Sequence, residues 1–122
     1  MPEVFLKRIY DPEEGHDGCR ILVDRLWPRG IRKVDAHLMY WYKDIAPSGE
    51  LRKWFGHKSD RFEEFRQRYI AELMEDKQKL KIIEEIKKIA ITQNVTLLYS
   101  TKNRELNNAV VLRDVILHEN NS

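Results

Sequence analysis

Two apolar runs without alternation constrain this chain most. Ile21-Leu22-Val23 and Val95-Thr96-Leu97-Leu98-Tyr99 are each bounded by polar or turn residues. A strand that is apolar on both sides must be covered on both, which is the habit of a parallel sheet. One strand is therefore expected from Arg20 to Leu26, closed by Pro28 and Gly30, and another from Val95 to Ser100. Glu3 to Ile9 reads as a third, with Val4, Leu6 and Arg8 on one face and Phe5, Lys7 and Ile9 on the other. Asp11-Pro12-Glu13-Glu14-Gly15-His16-Asp17-Gly18 is a loop by its turn chemistry.

Helical spacing fills the rest. Asp35 is a plausible N-cap for a helix through about Tyr42, and Pro47-Ser48 opens another that Gly56 stops. Asp60 and Glu63 have the spacing of a capping box, and Phe62, Phe65, Tyr69 and Leu73 follow at helical intervals to about Met74. Ile82, Ile83, Ile86, Ile89 and Ala90 mark a helix over Lys77 to Thr92, its many lysines and glutamates forming a solvated face. The last helix runs from Asn103 or Arg104 to about Leu117. Strands alternating with helices give an α/β fold: a small, mainly parallel sheet of three or four strands flanked by helices, in a Rossmann-like layered architecture. No linker or repeat divides the chain, so a single domain over residues 1–122 is expected.

Composition narrows the function classes. Side chains are 42% hydrophobic, enough for a core, and 22 basic against 20 acidic groups leave a net charge of only +2. That balance does not favour a general nucleic-acid binder. Cys19 is the only cysteine, which excludes an internal disulfide and suits a reducing cytoplasm. No apolar run approaches the roughly 20 residues that cross a membrane, and Met1-Pro2-Glu3-Val4-Phe5-Leu6 lacks the pattern of a signal peptide. A cytoplasmic protein without membrane contact is the expectation. His16, His37, His57 and His118 are scattered without zinc-ligand spacing, and neither a glycine-rich dinucleotide loop nor a phosphate-binding P-loop sequence is present. No metal or cofactor is expected.

Local charge is less even. Arg20, Arg25, Arg29, Arg32 and Lys33 lie between Gly18 and Val34, opposed only by Asp24. Open parallel sheets place their ligands beyond the carboxyl ends of the strands. The second strand would deliver Asp24, Arg25, Trp27 and Arg29 there, the first Tyr10 and Asp11, and the third Tyr99, Ser100, Thr101 and Lys102, with Asn107 and Asn108 near the start of the last helix. Arginine forks match carboxylate or phosphate, and a helix start offers free N–H groups. A small anionic ligand, bearing phosphate or carboxylate, is the expected partner. The ligand-binding candidates are Arg25, Arg29, Tyr99, Lys102, Asn107, Asn108 and, from the helical side, Trp54. Asp24 and His57 are the catalytic candidates, Asp24 to accept a proton or orient a water, His57 because imidazole titrates closest to neutrality. Competing structural readings give Asp24 and Arg25 to loop-locking ion pairs, Trp27 and Tyr99 to packing, His57 to capping, and the two asparagines to backbone satisfaction.

Three blocks carry a family resemblance. They are Arg20-Ile21-Leu22-Val23-Asp24-Arg25-Leu26-Trp27-Pro28-Arg29-Gly30, Ala46-Pro47-Ser48-Gly49-Glu50-Leu51-Arg52-Lys53-Trp54-Phe55-Gly56-His57, and Val95-Thr96-Leu97-Leu98-Tyr99-Ser100-Thr101-Lys102 followed by Asn107-Asn108-Ala109-Val110-Val111-Leu112. Over nearly its whole length the chain resembles the domain of unknown function 488 family, in its YeaO-like branch. The resemblance implies the fold and no established reaction. Other members of the wider family end their third strand in a cysteine and open the last helix with Cys-His-Arg. By that comparison Tyr99 stands at the cysteine, and Asn107, Asn108 and Ala109 stand at Cys-His-Arg, so both thiols are missing and thiol chemistry is not expected.

Two other functions fit parts of the pattern. A non-catalytic interaction module could use Arg20, Arg29, Arg32 and Lys33 with Trp27 and Trp41 to contact nucleic acid or an acidic protein, because aromatics among basic groups suit stacking on single strands. A homodimer could use Tyr40-Trp41-Tyr42, which serve equally as core. Finally, Tyr10 to Cys19 is short for a parallel crossover, so an antiparallel pairing of the first two strands is an alternative.

Overall fold

The computed structural model describes residues 2–118. Its strands are β1 (Val4–Arg8), β2 (Cys19–Leu22), β3 (Tyr40–Trp41) and β4 (Val95–Tyr99), in the order β1-β4-β2-β3, and every neighbouring pair is parallel. The expectation of a small parallel α/β sheet holds. The antiparallel alternative does not: β1 and β2 never pair with each other, because β4 lies between them.

Among the described residues five α-helices complete the fold: α1 (Lys33–Ala36), α2 (Gly49–Phe55), α3 (Phe62–Glu75), α4 (Lys77–Thr92) and α5 (Asn108–His118). The side chains of α2 to α5 cover one face of the sheet. Ile21, Val95, Leu97 and Tyr99 point into that layer and meet Phe55, Phe65, Tyr69, Leu73, Ile83, Ile86 and Leu112. Phe55 stacks on Phe65 with centroids 4.3 Å apart. Of the helical intervals read from sequence, Phe65, Tyr69 and Leu73 of α3 and Ile82, Ile83 and Ile86 of α4 are buried, while Phe62, Ile89 and Ala90 pack half-buried against the same core.

The opposite face has no comparable helical cover. Leu22 and Leu98 pack there under Ala36 of the short α1 and irregular chain that carries Trp27, Ile31 and Leu38. Between β1 and β2 the short connection lies against this face through a buried polar cluster. Lys7 Nζ reaches Asp17 at 2.8 Å and Glu14 at 2.6 Å, Arg20 donates to Asp17 at 2.7 Å and to the Ala36 carbonyl at 3.1 Å, and Thr96 donates to the Asp17 carbonyl at 2.8 Å. Asp17 and Arg20 are only 1% and 5% exposed. Polar groups stay buried only when paired, and this network lets a connection without an α-helix bridge two parallel strands. It also removes Arg20 from any outward-facing basic patch.

Several local expectations are corrected. The helix expected from Asp35 to Tyr42 is only the short α1, closed by His37 in the left-handed region at φ 50°, and Tyr40–Trp41 pairs with Ile21–Leu22 as the edge strand. Trp41 is therefore a strand residue. Its indole N–H donates to the Asp24 carbonyl at 2.8 Å. β2 begins one residue earlier than expected and leaves the pairing at Leu22, short of Leu26. Asp60 and Glu63 form no capping box, because a 3-10 turn at Ser59–Arg61 shifts the start of α3 to Phe62. The last helix begins at Asn108, later than Asn103, because Asn103 is spent on a turn: its Oδ1 accepts the N–H groups of Glu105 and Leu106.

Candidate functional site at the strand ends

Parallel strands must all end on the same edge. Here that edge opens into a cavity of about 920 Å³. Asp24, Arg25 and Arg29 enter it from the segment after β2, Ser100, Thr101 and Lys102 from the segment after β4, and Asn107 and Asn108 from the start of α5. Arg52, Lys53 and His57 enter from α2 and its end. Arg8 and Tyr10 border it from β1.

Each segment is held by bonds traceable to sequence. α2 starts where Ser48 Oγ accepts the Leu51 N–H at 3.2 Å, and it stops at Gly56, whose φ is 52° and whose N–H bonds the Arg52 carbonyl. Ser48 also donates to the Glu72 carboxylate through its N–H and hydroxyl, at 2.9 and 2.6 Å, which fixes α2 against α3. α5 is capped by Asn107, whose Oδ1 accepts the Val110 N–H at 2.9 Å. The segment after β4 is tied to β1 by Arg8, which donates to the carbonyls of Ser100 and Thr101, and by Arg104, which grips Asp11 with two bonds of 2.8 Å. Tyr10 donates its hydroxyl to the Arg29 carbonyl at 2.8 Å, joining the β1 end to the arginine segment.

Asp24 sits at the junction. Its Oδ2 accepts the N–H and hydroxyl of Ser100, both at 2.9 Å, and its Oδ1 accepts the Asn108 amide at 3.2 Å. These bonds of the carboxylate go to the scaffold rather than to an arginine. Arg25 and Arg29 are exposed. The loop-locking ion pair weighed for Asp24 and Arg25 is thus realised differently, as carboxylate hydrogen bonds to Ser100 and Asn108.

Around the cavity stand the cations Arg8, Arg25, Arg29, Arg52, Lys53 and Lys102, against the single carboxylate of Asp24. The buried Nε of Arg52 finds no partner among the described residues. A buried donor left unmatched is costly unless something accepts from it.

The structure brings Asp24, Arg25, Arg29, His57, Lys102, Asn107 and Asn108 to this one cavity. It does not bring Tyr99 or Trp54. Tyr99 points into the helical core at 2% exposure, where burial pushes its hydroxyl upward. Trp54 packs its ring under the guanidinium groups of Arg61 and Arg68, 5.3 and 4.5 Å away. His57 occupies the left-handed region at φ 58°, directly after Gly56. Arg8, Arg52, Lys53 and Leu26 line the cavity without having been singled out in the sequence. On a helix, Arg52 and Lys53 read as solvated charge, and only the three-dimensional packing brings them to the cavity.

Other clusters serve structure. Glu14, His16 and Asp17 bring possible ligand atoms within 4.8 Å of one another, but the Lys7 ammonium already bridges both carboxylates. Trp27 packs edge-on against Trp41 at 5.3 Å and donates its N–H to the Ile31 carbonyl. Burial pushes the Cys19 thiol upward, which suits packing better than reactivity. Among the described residues no helix is long and apolar enough to cross a membrane.

Comparison with known proteins places this architecture. A family model described as the inactive DUF488-N3 subclade matches residues 3–122. "Uncharacterized protein YeaO" of Escherichia coli (strain K12) is 52% identical over 108 residues, 88% of this chain and 91% of that protein. "Uncharacterized protein Mb3100c" of Mycobacterium bovis and "Uncharacterized protein Rv3073c" of Mycobacterium tuberculosis are each 39% identical over 113 residues, 93% of this chain and 92% of theirs. No solved structure matches.

Proposed function

This chain belongs to the inactive DUF488-N3 subclade, and from that premise we propose that it binds a small phosphate- or carboxylate-bearing ligand at the strand ends without transforming it. The observation that carries this reading is the charge imbalance of the cavity, six cationic side chains around one carboxylate. A concave site lined by one sign of charge concentrates ions of the opposite sign. Arg25, Arg29 and Lys102 supply exposed donors, and Arg52 lines the same cavity.

Binding is favoured over catalysis because Asp24, the carboxylate among the acid–base candidates, is otherwise engaged. Asp24 is hydrogen-bonded to Ser100 and Asn108 and positions the scaffold. Ser100 donates its hydroxyl to a carboxylate, without an imidazole to activate it as a nucleophile. The word "inactive" in the family's description agrees with this. A nucleic-acid module is less well supported: Arg20 is buried, and Trp27 and Trp41 pack against each other rather than offering stacking faces. A cytoplasmic location goes with this reading, given the lone buried Cys19.

The test is a thermal-shift titration with inorganic phosphate, phosphomonoesters and small carboxylates at constant ionic strength. Ligand binding to the folded state raises its apparent stability. A rise for the wild type that disappears in Arg25→Ala/Arg29→Ala supports the reading. The same response in both proteins, or none in either, rejects it.

A further inference from the structure

We infer that the anion is carried on an apolar body of at least one ring, an inference that rests on the anion-binding reading above. The cavity is graded by depth. The buried part of its lining is Pro28, Ala46, Pro47, Phe55 and Phe65, with Asn107 as the polar exception. The cations Arg25, Arg29, Lys53 and Lys102 are exposed at its lip. An inorganic ion would use the lip and leave the apolar interior wet.

Size points the same way. Cavities of about 300–1,000 Å³ hold whole organic ligands, and this one measures about 920 Å³. Leu26 adds an independent sign. It lines the cavity and is 68% exposed, so its side chain is open to a ligand there. The ligand therefore lies with its ring against Phe55, Pro28 and Leu26, and with its charged group among the arginines at the lip. An apolar body in such a site contributes affinity through the area it removes from water, while the charged group fixes its direction.

Calorimetric titration of the full chain with inorganic phosphate, phenyl phosphate and benzyl alcohol separates the possibilities, and acetate against benzoate repeats the comparison for carboxylates. Phenyl phosphate is expected to bind at least about tenfold more tightly than inorganic phosphate, as burial of a ring implies. Benzyl alcohol is expected to show no binding at the same concentrations. Leu26→Ser, a change at an exposed position, should narrow the gap between ring-bearing and inorganic anions several-fold. Equal affinities within both pairs would overturn this inference while leaving the anion-binding reading intact. A gap that Leu26→Ser leaves untouched would overturn the placement of the ring. Failure of all the anions to bind, or benzyl alcohol binding as tightly as phenyl phosphate, would defeat the anion-binding reading and this inference with it.

Discussion

The carboxylate of Asp24 holds Ser100 twice: one oxygen accepts both the backbone N–H and the side-chain hydroxyl of Ser100, each at 2.9 Å. With Asn108 on the other oxygen, a residue at the end of β2 pins the end of β4 and the start of α5. The cavity keeps its shape because this side chain joins three segments.

Asp24→Ala should therefore behave as a structural mutation. Hydrogen bonds to a charged group contribute about 1.5–3 kcal/mol each and are not additive. A loss of about 2–4 kcal/mol is expected in chemical denaturation. Asp24→Asn should recover part of it, because an amide oxygen can still accept from Ser100. An Asp24→Ala protein of unchanged stability would show that the junction does not hold the rim.

Gly18 tests the chain's route into β2. It sits at φ 65° and ψ −129°, and an added Cβ would lie 2.1 Å from the Asn94 carbonyl oxygen. That oxygen also accepts the Cys19 N–H at 2.8 Å, so it cannot give way freely. Gly18→Ala should destabilise by about 3 kcal/mol or more. Gly15→Ala, where a Cβ meets nothing within 4 Å, is the matched control and should stay within about 1 kcal/mol of wild type.

The Lys7–Asp17–Arg20 cluster sets a pH window. Burial pushes the Asp17 carboxyl upward, but hydrogen bonds from Lys7, the Glu14 N–H and Arg20 outweigh it and hold it below its ordinary 3.8. Its contribution is then present above pH 3.8 and is lost as pH falls through the lowered value. For Lys7, burial lowers the ammonium and its bonds to Asp17 and Glu14 raise it further, leaving it above its ordinary 10.5. That contribution is complete below pH 10.5 and is lost as pH rises through the raised value. Stability should thus fall at both extremes, and Asp17→Asn should flatten the acid limb. Denaturation midpoints across pH check this; an unchanged acid limb in the variant would contradict it.

Arg52 separates stability from binding. Its buried Nε lacks a partner among the described residues, so Arg52→Met removes a group that burial penalises. The ligand-free variant should match wild type within about 1 kcal/mol, while phosphate binding weakens. Parallel denaturation and calorimetry distinguish the two effects. A large stability loss with unchanged binding would assign Arg52 to the scaffold.

Sequence spoke clearly wherever one element answers to local chemistry. The uninterrupted apolar runs at Ile21 and Val95 became central parallel strands, and Ser48 and Gly56 bounded α2 as their capping preferences require. It was silent where long-range partners decide. Tyr40-Trp41-Tyr42 can turn inward or outward in either secondary structure, and only pairing with Ile21 and Leu22 makes a strand of it. Lys7 and Arg20 read as surface charge until Asp17 is folded over them. For the site, the strand-end rule found Asp24, Arg25, Arg29 and Lys102 because their place follows from strand direction. It missed Arg52 and Leu26, whose place follows from how α2 and the segment after β2 pack. It included Tyr99, because alternation along β4 decides whether that ring faces the cavity or the core.

The central claim is that separate segments form one anion-binding mouth. Amide chemical shifts recorded during titration with phenyl phosphate test it most directly. The account predicts saturable shifts that cluster at residues 24–29, 52–57 and 100–108 together, and that vanish in Arg25→Ala/Arg29→Ala. Shifts centred instead on the opposite end of the sheet, around Val4 and Ala90, or shifts that persist in the double variant, would contradict it.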